Sequence, residues 1–117
     1  MLIGPILVQD MNYLFLVYQD KPLGEALTNA SLASNEALRE SGYLLAEVDL
    51  SAATAVSVTH KNGSLKLSEG SAADPKHLAT LFFIQVRDLN EAIQLAARMP
   101  QAQNGVVEIR PFTSPIK

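Results

Sequence analysis

Five residues in the second half of this 117-residue chain could take part in chemistry. His60 and His77 are its two histidines, and an imidazole can act near neutral pH as a general base or as a ligand contact. Glu108 and Arg110 stand two residues apart, so in a strand they project from one face and could anchor a polar or anionic ligand. Gln85 interrupts an apolar segment, which makes its amide a candidate for the lining of a pocket.

Each of these residues also has a purely structural explanation. His60 could reach solvent beside a turn, and His77 could be a solvated residue of a polar loop. Glu108 and Arg110 could pair with each other or across an interface between two chains, and Gln85 could mark the exposed end of its strand. For the two histidines and for the charged pair we favour the structural explanation.

The composition excludes several common kinds of site. The chain contains no cysteine, which rules out disulfides, thiolate metal sites and cysteine nucleophiles. Two histidines far apart among scattered carboxylates match no metal-ligand spacing, and no serine lies in a nucleophile elbow. We therefore expect no metal and no cofactor.

Charge and length limit the partners and the number of domains. Nine Lys and Arg against twelve Asp and Glu give a net charge of -3, and the basic residues form no cluster, so we expect no nucleic-acid partner.

A chain of this length with 48% hydrophobic residues suits a single domain, which we assign to residues 11–117. Residues 1–10 are interpreted as an N-terminal extension of doubtful status.

That N-terminal segment is apolar, but it is too short to span a bilayer and lacks the basic start and cleavage site of a signal peptide. We therefore expect no membrane partner. The lack of cysteine fits a reducing compartment, so we expect a cytoplasmic location.

The first half of the domain is predicted to contain a strand, a helix and a second strand. Residues 12–18 form a nearly continuous apolar run, which is typical of a strand covered on both faces. Residues 25–40 predict a helix that stops before Gly42, and residues 43–50 predict the next strand. The predicted buried stripe of the helix consists of Ala26, Ala30, Ala33 and Ala37, with Leu27 and Leu38 beside them.

A β-hairpin is the clearest local prediction. Asn62-Gly63 lies between two alternating segments, and a type I′ turn requires the positive φ that both residues tolerate. A two-residue turn there pairs Lys61 with Ser64 and His60 with Leu65. The apolar face of the hairpin is then Val56, Val58, His60, Leu65 and Leu67. The polar face is Ser57, Thr59, Lys66 and Ser68.

A polar loop, a strand, a capped helix and a final strand complete the domain. Residues 68–77 have the Gly, Ser, Asp and Pro content of a loop, and residues 78–86 predict a buried strand. Asp88 with Glu91 predicts a capping box, and Pro100 ends the helix. The predicted buried stripe is Leu89, Ala92, Ile93, Ala96 and Ala97. Residues 106–110 predict the last strand.

The predicted order is βαββαβ with an inserted β-hairpin, an α+β fold in which an antiparallel sheet carries two helices on one face. The apolar strands at 12–18 and 79–86 require cover on the other face as well. A second copy of the chain is the simplest cover. We therefore expect a homodimer in which two sheets meet.

Several segments of the chain resemble the YCII-related domain family, in the branch named for an Asp-Gly-Pro-Phe (DGPF) motif. These segments are MNYLFLVY, LASNEALRESGYLL, THKNGSLKLSEG, FFIQVRDLNEAIQLAARMP and GVVEIRPF. The resemblance runs from Met11 to about Phe112. It implies a ferredoxin-like fold that pairs into a dimeric α/β barrel.

The chain departs from this family where the family's proposed chemistry lies. The motif falls on Glu69-Gly70-Ser71-Ala72, which keeps an acid and the glycine but lacks proline and phenylalanine. The YciI-like branch is associated with a histidine in the first helix and an aspartate just before a proline at the end of the second. Those positions fall near Leu32 and at Met99, and neither side chain can transfer a proton.

We therefore expect a YCII-like homodimer that binds a small polar molecule between the sheet and the loop at 68–77, in an accessory or regulatory role and without catalysis. The alternative is a cofactor-independent enzyme, of the isomerase, lyase or oxygenase type, that acts on a small organic substrate. It would need His60 or His77 in a closed cavity beside a charged partner. A third hypothesis is an interaction protein whose inter-sheet space is filled by side chains.

Overall fold

The described part of the chain folds into a four-stranded sheet with two α-helices and a separate two-stranded hairpin. The computed structural model describes residues 11–19, 24–51, 55–69, 77–103 and 105–113. The elements in chain order are β1 (Met11–Gln19), α1 (Glu25–Glu40), β2 (Leu44–Asp49), β3 (Val56–Lys61), β4 (Ser64–Glu69), β5 (His77–Val86), α2 (Leu89–Arg98), a 3-10 helix (Pro100–Ala102) and β6 (Gly105–Pro111).

The sheet has the order β2-β5-β1-β6, and every neighbouring pair is antiparallel. Strands β1 and β5 lie in the centre, as their apolar sequences predict. An α+β class with two helices and antiparallel strands is thus confirmed, and the arrangement is compatible with a ferredoxin-like fold. No helix among the described residues is long and apolar enough to cross a membrane.

One apolar core lies between the helices and a single face of the sheet. Because side chains alternate along a strand, β1 and β5 each send every second residue into this core. Phe15, Val17, Phe82 and Ile84 have no solvent exposure. The helices contribute Leu38, Ala92, Leu95 and Ala96, and the chain segment after α2 adds Met99.

The buried face of α1 differs from the predicted one. Ala26, Ala30, Ala33 and Ala37 are all exposed, and the buried residues are Ser31, Asn35 and Leu38. The helix is turned so that polar side chains face the protein, where Asn35 finds hydrogen-bond partners. The helix ends as predicted, because Gly42 has a φ of 84° and the amides of Gly42 and Tyr43 bond back to Arg39 and Leu38.

The cap of α2 is confirmed, but part of its predicted stripe is wrong. The carboxylate of Asp88 accepts a hydrogen bond from the amide of Glu91 at 2.9 Å. Ala92 and Ala96 are buried as expected, together with Leu95, whereas Leu89 and Ile93 remain 49% and 48% exposed. Ala97 is exposed too. The face that reaches the sheet is therefore centred on positions 92, 95 and 96.

The hairpin has the predicted turn and register. Asn62 and Gly63 adopt φ values of 51° and 78°, and Lys61 pairs with Ser64, as His60 does with Leu65. The segments at 1–10 and 70–76 lie outside the described residues, so the predicted extension and most of the predicted loop at 68–77 fall there.

Candidate functional site

The face of the sheet opposite the helices carries most of the predicted ligand-pocket candidates. Strand alternation places on this open face Asn12, Leu14, Leu16 and Tyr18 of β1, Leu81, Phe83 and Gln85 of β5, Ala46 and Val48 of β2, and Val106, Glu108 and Arg110 of β6. The residues on the two central strands are half-buried, because their neighbours in the sheet shield them only from the side. The open face is therefore apolar at its centre and polar at one margin.

A chain of polar contacts follows that margin on β6. The hydroxyl of Tyr18 donates to Oε1 of Glu108 at 3.0 Å. Nε of Arg110 lies 3.5 Å from Oε2 of the same carboxylate. Glu108 is thus held from both sides, and the predicted pairing of Glu108 with Arg110 is observed. The guanidinium remains open to solvent, since the Arg110 side chain is 66% exposed.

Gln85, the third candidate on the open face, lies on β5, outside this polar cluster. Its Nε2 donates to Oδ1 of Asn12 at 3.4 Å. Beside this amide pair, the rings of Phe83 and Phe112 meet edge to face with centroids 5.8 Å apart. The structure therefore brings Gln85, Glu108 and Arg110 to one face.

The two histidines lie away from this cluster. His60 projects from the exposed hairpin and pairs with Leu65. His77 is exposed at the start of β5, where it pairs with Gln19 at the end of β1. Among the residues that the structure describes, neither imidazole is enclosed in a cavity.

A second polar cluster joins α1, β2 and the 3-10 helix, and the sequence analysis did not identify it. Nε2 of Gln101 donates to Oδ1 of Asn35 at 3.1 Å, and Nδ2 of Asn35 donates to Glu47 at 3.4 Å. Arg39 bonds the other oxygen of Glu47 at 3.1 Å. Asn35 in the middle of a helix is the one sequence signal for it, because asparagine is a poor helix former that needs a compensating contact.

This cluster contains two polar atoms without partners. Among the described residues, Oγ of Ser31 and Oε1 of Gln101 are buried and make no hydrogen bond. An unpaired buried polar atom costs free energy, so these atoms mark a less stable point in the helix-side packing.

A shallow depression of about 320 Å³ lies between the turn that follows α1, at residues 41–43, and the segment from the end of β5 to Glu91 in α2. On its wall, the hydroxyl of Tyr43 donates to Oε2 of Glu91 at 3.2 Å, and the amide of Arg87 donates to Oε1 at 2.8 Å. The hydrogen bond from the Arg87 amide holds the pKa of Glu91 below its ordinary value. Gln85 also lines this depression. Glu91 completes the N-terminal cap of α2, so its contacts have a structural role and give no reason to assign a ligand site here.

The positions that correspond to the proposed histidine and aspartate of the YciI-like branch do not form a site here. Leu32 is 61% exposed on α1, whereas Met99 is 2% exposed and belongs to the core. One side chain faces solvent and the other faces the helix-side packing. No proton-transfer pair can be assembled from them.

Comparison with known proteins agrees with the resemblance found in the sequence. The family model described as the YCII-related domain matches residues 11–114. No curated protein matches the chain.

Proposed function

The chain belongs to the YCII-related domain family, and on this premise we propose that it is a cytoplasmic homodimer that binds a small polar molecule in an accessory or regulatory role. The cytoplasmic location remains a prediction from composition. The proposal for the dimer and its ligand rests on the open face of the sheet.

The observation that carries this proposal is the apolar centre of that face. Leu14, Leu16, Leu81 and Phe83 lie side by side on the two central strands, and the helices occupy the opposite side. Apolar patches of this kind on soluble domains are typical of interaction surfaces. A second copy placed face to face would cover both patches and form a dimeric α/β barrel. The antiparallel order β2-β5-β1-β6 supports this, since it is the strand order of ferredoxin-like sheets.

The polar margin supports a ligand between the two sheets. Glu108 can accept hydrogen bonds, while Arg110 presents a guanidinium whose fork geometry suits a carboxylate or phosphate. Enclosure by a second sheet would exclude water and strengthen both contacts. The ligand class is therefore a small molecule with an acidic group for Arg110 and a hydroxyl or amine for Glu108.

The enzymatic alternative has no comparable support. It requires His60 or His77 beside a charged partner in a closed cavity, and both are exposed in the single chain. Leu32 and Met99 supply no acid or base. Binding without catalysis is the simpler function for these side chains.

The dimer can be tested with two variants, each of which places one charged residue on a different side of the sheet. We expect the wild-type chain to sediment as a dimer at micromolar concentration. Leu16→Asp, in the centre of the open face, should convert it to a monomer. Ile93→Asp is the matched control, because Ile93 is an exposed aliphatic residue on the helix side. A wild-type monomer, or equal behaviour of both variants, would contradict the proposed interface.

The ligand can be tested in the same preparations. Native mass spectrometry of the purified protein should reveal a retained small molecule, and a panel of small carboxylates and phosphates should raise the melting temperature. Arg110→Met keeps the length of the side chain but removes the charge, and it should abolish the shift while the dimer persists. If no compound in the panel stabilises the wild-type protein and no molecule is retained, the binding function is wrong.

A further inference from the structure

The hairpin β3–β4 presents an unpaired apolar face that the core of the domain does not use. Its register places Val56, Val58, Leu65 and Leu67 on one side, and these residues are 62–64% exposed. Among the described elements, β3 and β4 contact only each other. We call this hairpin the arm.

A two-stranded hairpin with an uncovered aliphatic face is marginally stable by itself in water. The alternation along β3 and β4 nevertheless places the four aliphatic residues on one side, together with His60 and Glu69. Ser57, Thr59, Lys66 and Ser68 lie on the reverse side. Such a pattern is expected of a strand pair with one covered face. The arm therefore requires a cover, and the described residues of its own chain do not provide one.

From this we propose that the arm packs its apolar face, which carries His60, on a second copy of the chain. The inference rests on the proposed homodimer and adds a second contact to it. His60 shares the apolar face with Val58 and Leu67. Whatever covers these aliphatic residues also meets the imidazole.

The estimated area of the interface favours a second copy of the chain as the partner of the arm. The open sheet face measures about 19 by 23 Å from the spacing of strands and residues, or about 440 Å² for each copy. This is well below the roughly 800 Å² per partner of a standard interface. The arm face adds about 200 Å², and the surface that receives the arm of the other copy adds about as much again. The sheet and the arm together reach the size that a stable dimer needs.

The charges favour the same occupant. Residues 56–69 of the arm carry two lysines and one glutamate, whereas the rest of the chain carries seven basic and eleven acidic residues. The arm thus carries a net charge of +1 and is attracted at long range to the negative body of a second copy, with both lysines on its polar side.

Sedimentation of paired arm variants tests the proposal. Val58→Asp with Leu67→Asp places two charges on the apolar face, and Thr59→Asp with Ser68→Asp places two on the polar face. We expect the first pair to weaken dimerisation at least tenfold and the second to leave it within about threefold. If the wild type is dimeric and both pairs behave like it, the arm proposal is overturned while the homodimer stands. A monomeric wild type overturns both.

Cross-linking tests the arm without adding charge. Because the chain has no cysteine, His60→Cys creates a unique attachment point for a benzophenone maleimide. Equal mixing of ¹⁴N and ¹⁵N protein should give mixed-isotope cross-links from position 60, with few from the control Thr59→Cys. Cross-links confined to single chains would overturn the proposal.

Discussion

Strands β1 and β3 each present an apolar face, but these two faces have opposite surroundings. In β1, Phe15 and Val17 are fully buried under the helices, whereas in β3, Val56 and Val58 are exposed by more than 60%. Side chains alternate between the two faces of both strands, and both strands have antiparallel partners. The difference shows that alternation makes a face suitable for burial, but a second layer has to be present to bury it.

The largest expected effect is on the free energy of unfolding. It should separate a variant at a buried apolar side chain from a variant at an exposed one. Phe15→Ala should lower the free energy of unfolding by about 3–5 kcal/mol, because it removes a buried ring and leaves a cavity. Val58→Ala in the arm should change it by no more than about 0.5 kcal/mol. Denaturant unfolding in the monomeric Leu16→Asp background measures both. A comparable loss in the two variants would mean that the arm packs on its own domain.

A smaller effect on stability concerns serine side chains of α1, on the helix side of the sheet. Ser31 is buried with an unpaired hydroxyl, and Ser34 lies one turn away at a half-buried position. Replacement by alanine improves the helix propensity at both sites equally. Ser31→Ala should therefore be more stable than Ser34→Ala by about 1 kcal/mol, since it also removes the unpaired group. Thermal unfolding monitored by circular dichroism compares them.

The opposite ranking would show that the Ser31 hydroxyl is bonded within the folded protein. In that case the cluster of Asn35, Glu47 and Gln101 would extend along α1 to Ser31 through a further polar contact.

The most local expected effect is confined to the arm. Gly63→Ala places a methyl group at a φ of 78°, where an L-residue is strained by about 1–2 kcal/mol. Amide hydrogen exchange in β3 and β4 should accelerate several-fold, while exchange in β1 and β5 stays unchanged. Gly24→Ala is the control, because nothing lies near its added methyl group. Faster exchange throughout the sheet would show that arm and body unfold together.

The sequence by itself determined the types and order of the elements. The turn at Asn62-Gly63, the stop at Gly42 and the cap at Asp88 depend on local backbone preferences, so they could be predicted from neighbouring residues. Strand alternation likewise placed Glu108 and Arg110 on one face, and the structure adds Gln85 and Tyr18 to that face.

Only the tertiary structure decided which faces are covered. Along α1, the alanine stripe and the stripe of Ser31, Asn35 and Leu38 are both compatible with helical periodicity, and the second is buried because Glu47 and Gln101 lie beside it. Those partners come from distant parts of the chain, so no local pattern reveals them. The exposure of the arm has the same origin, since burial depends on which elements meet in space.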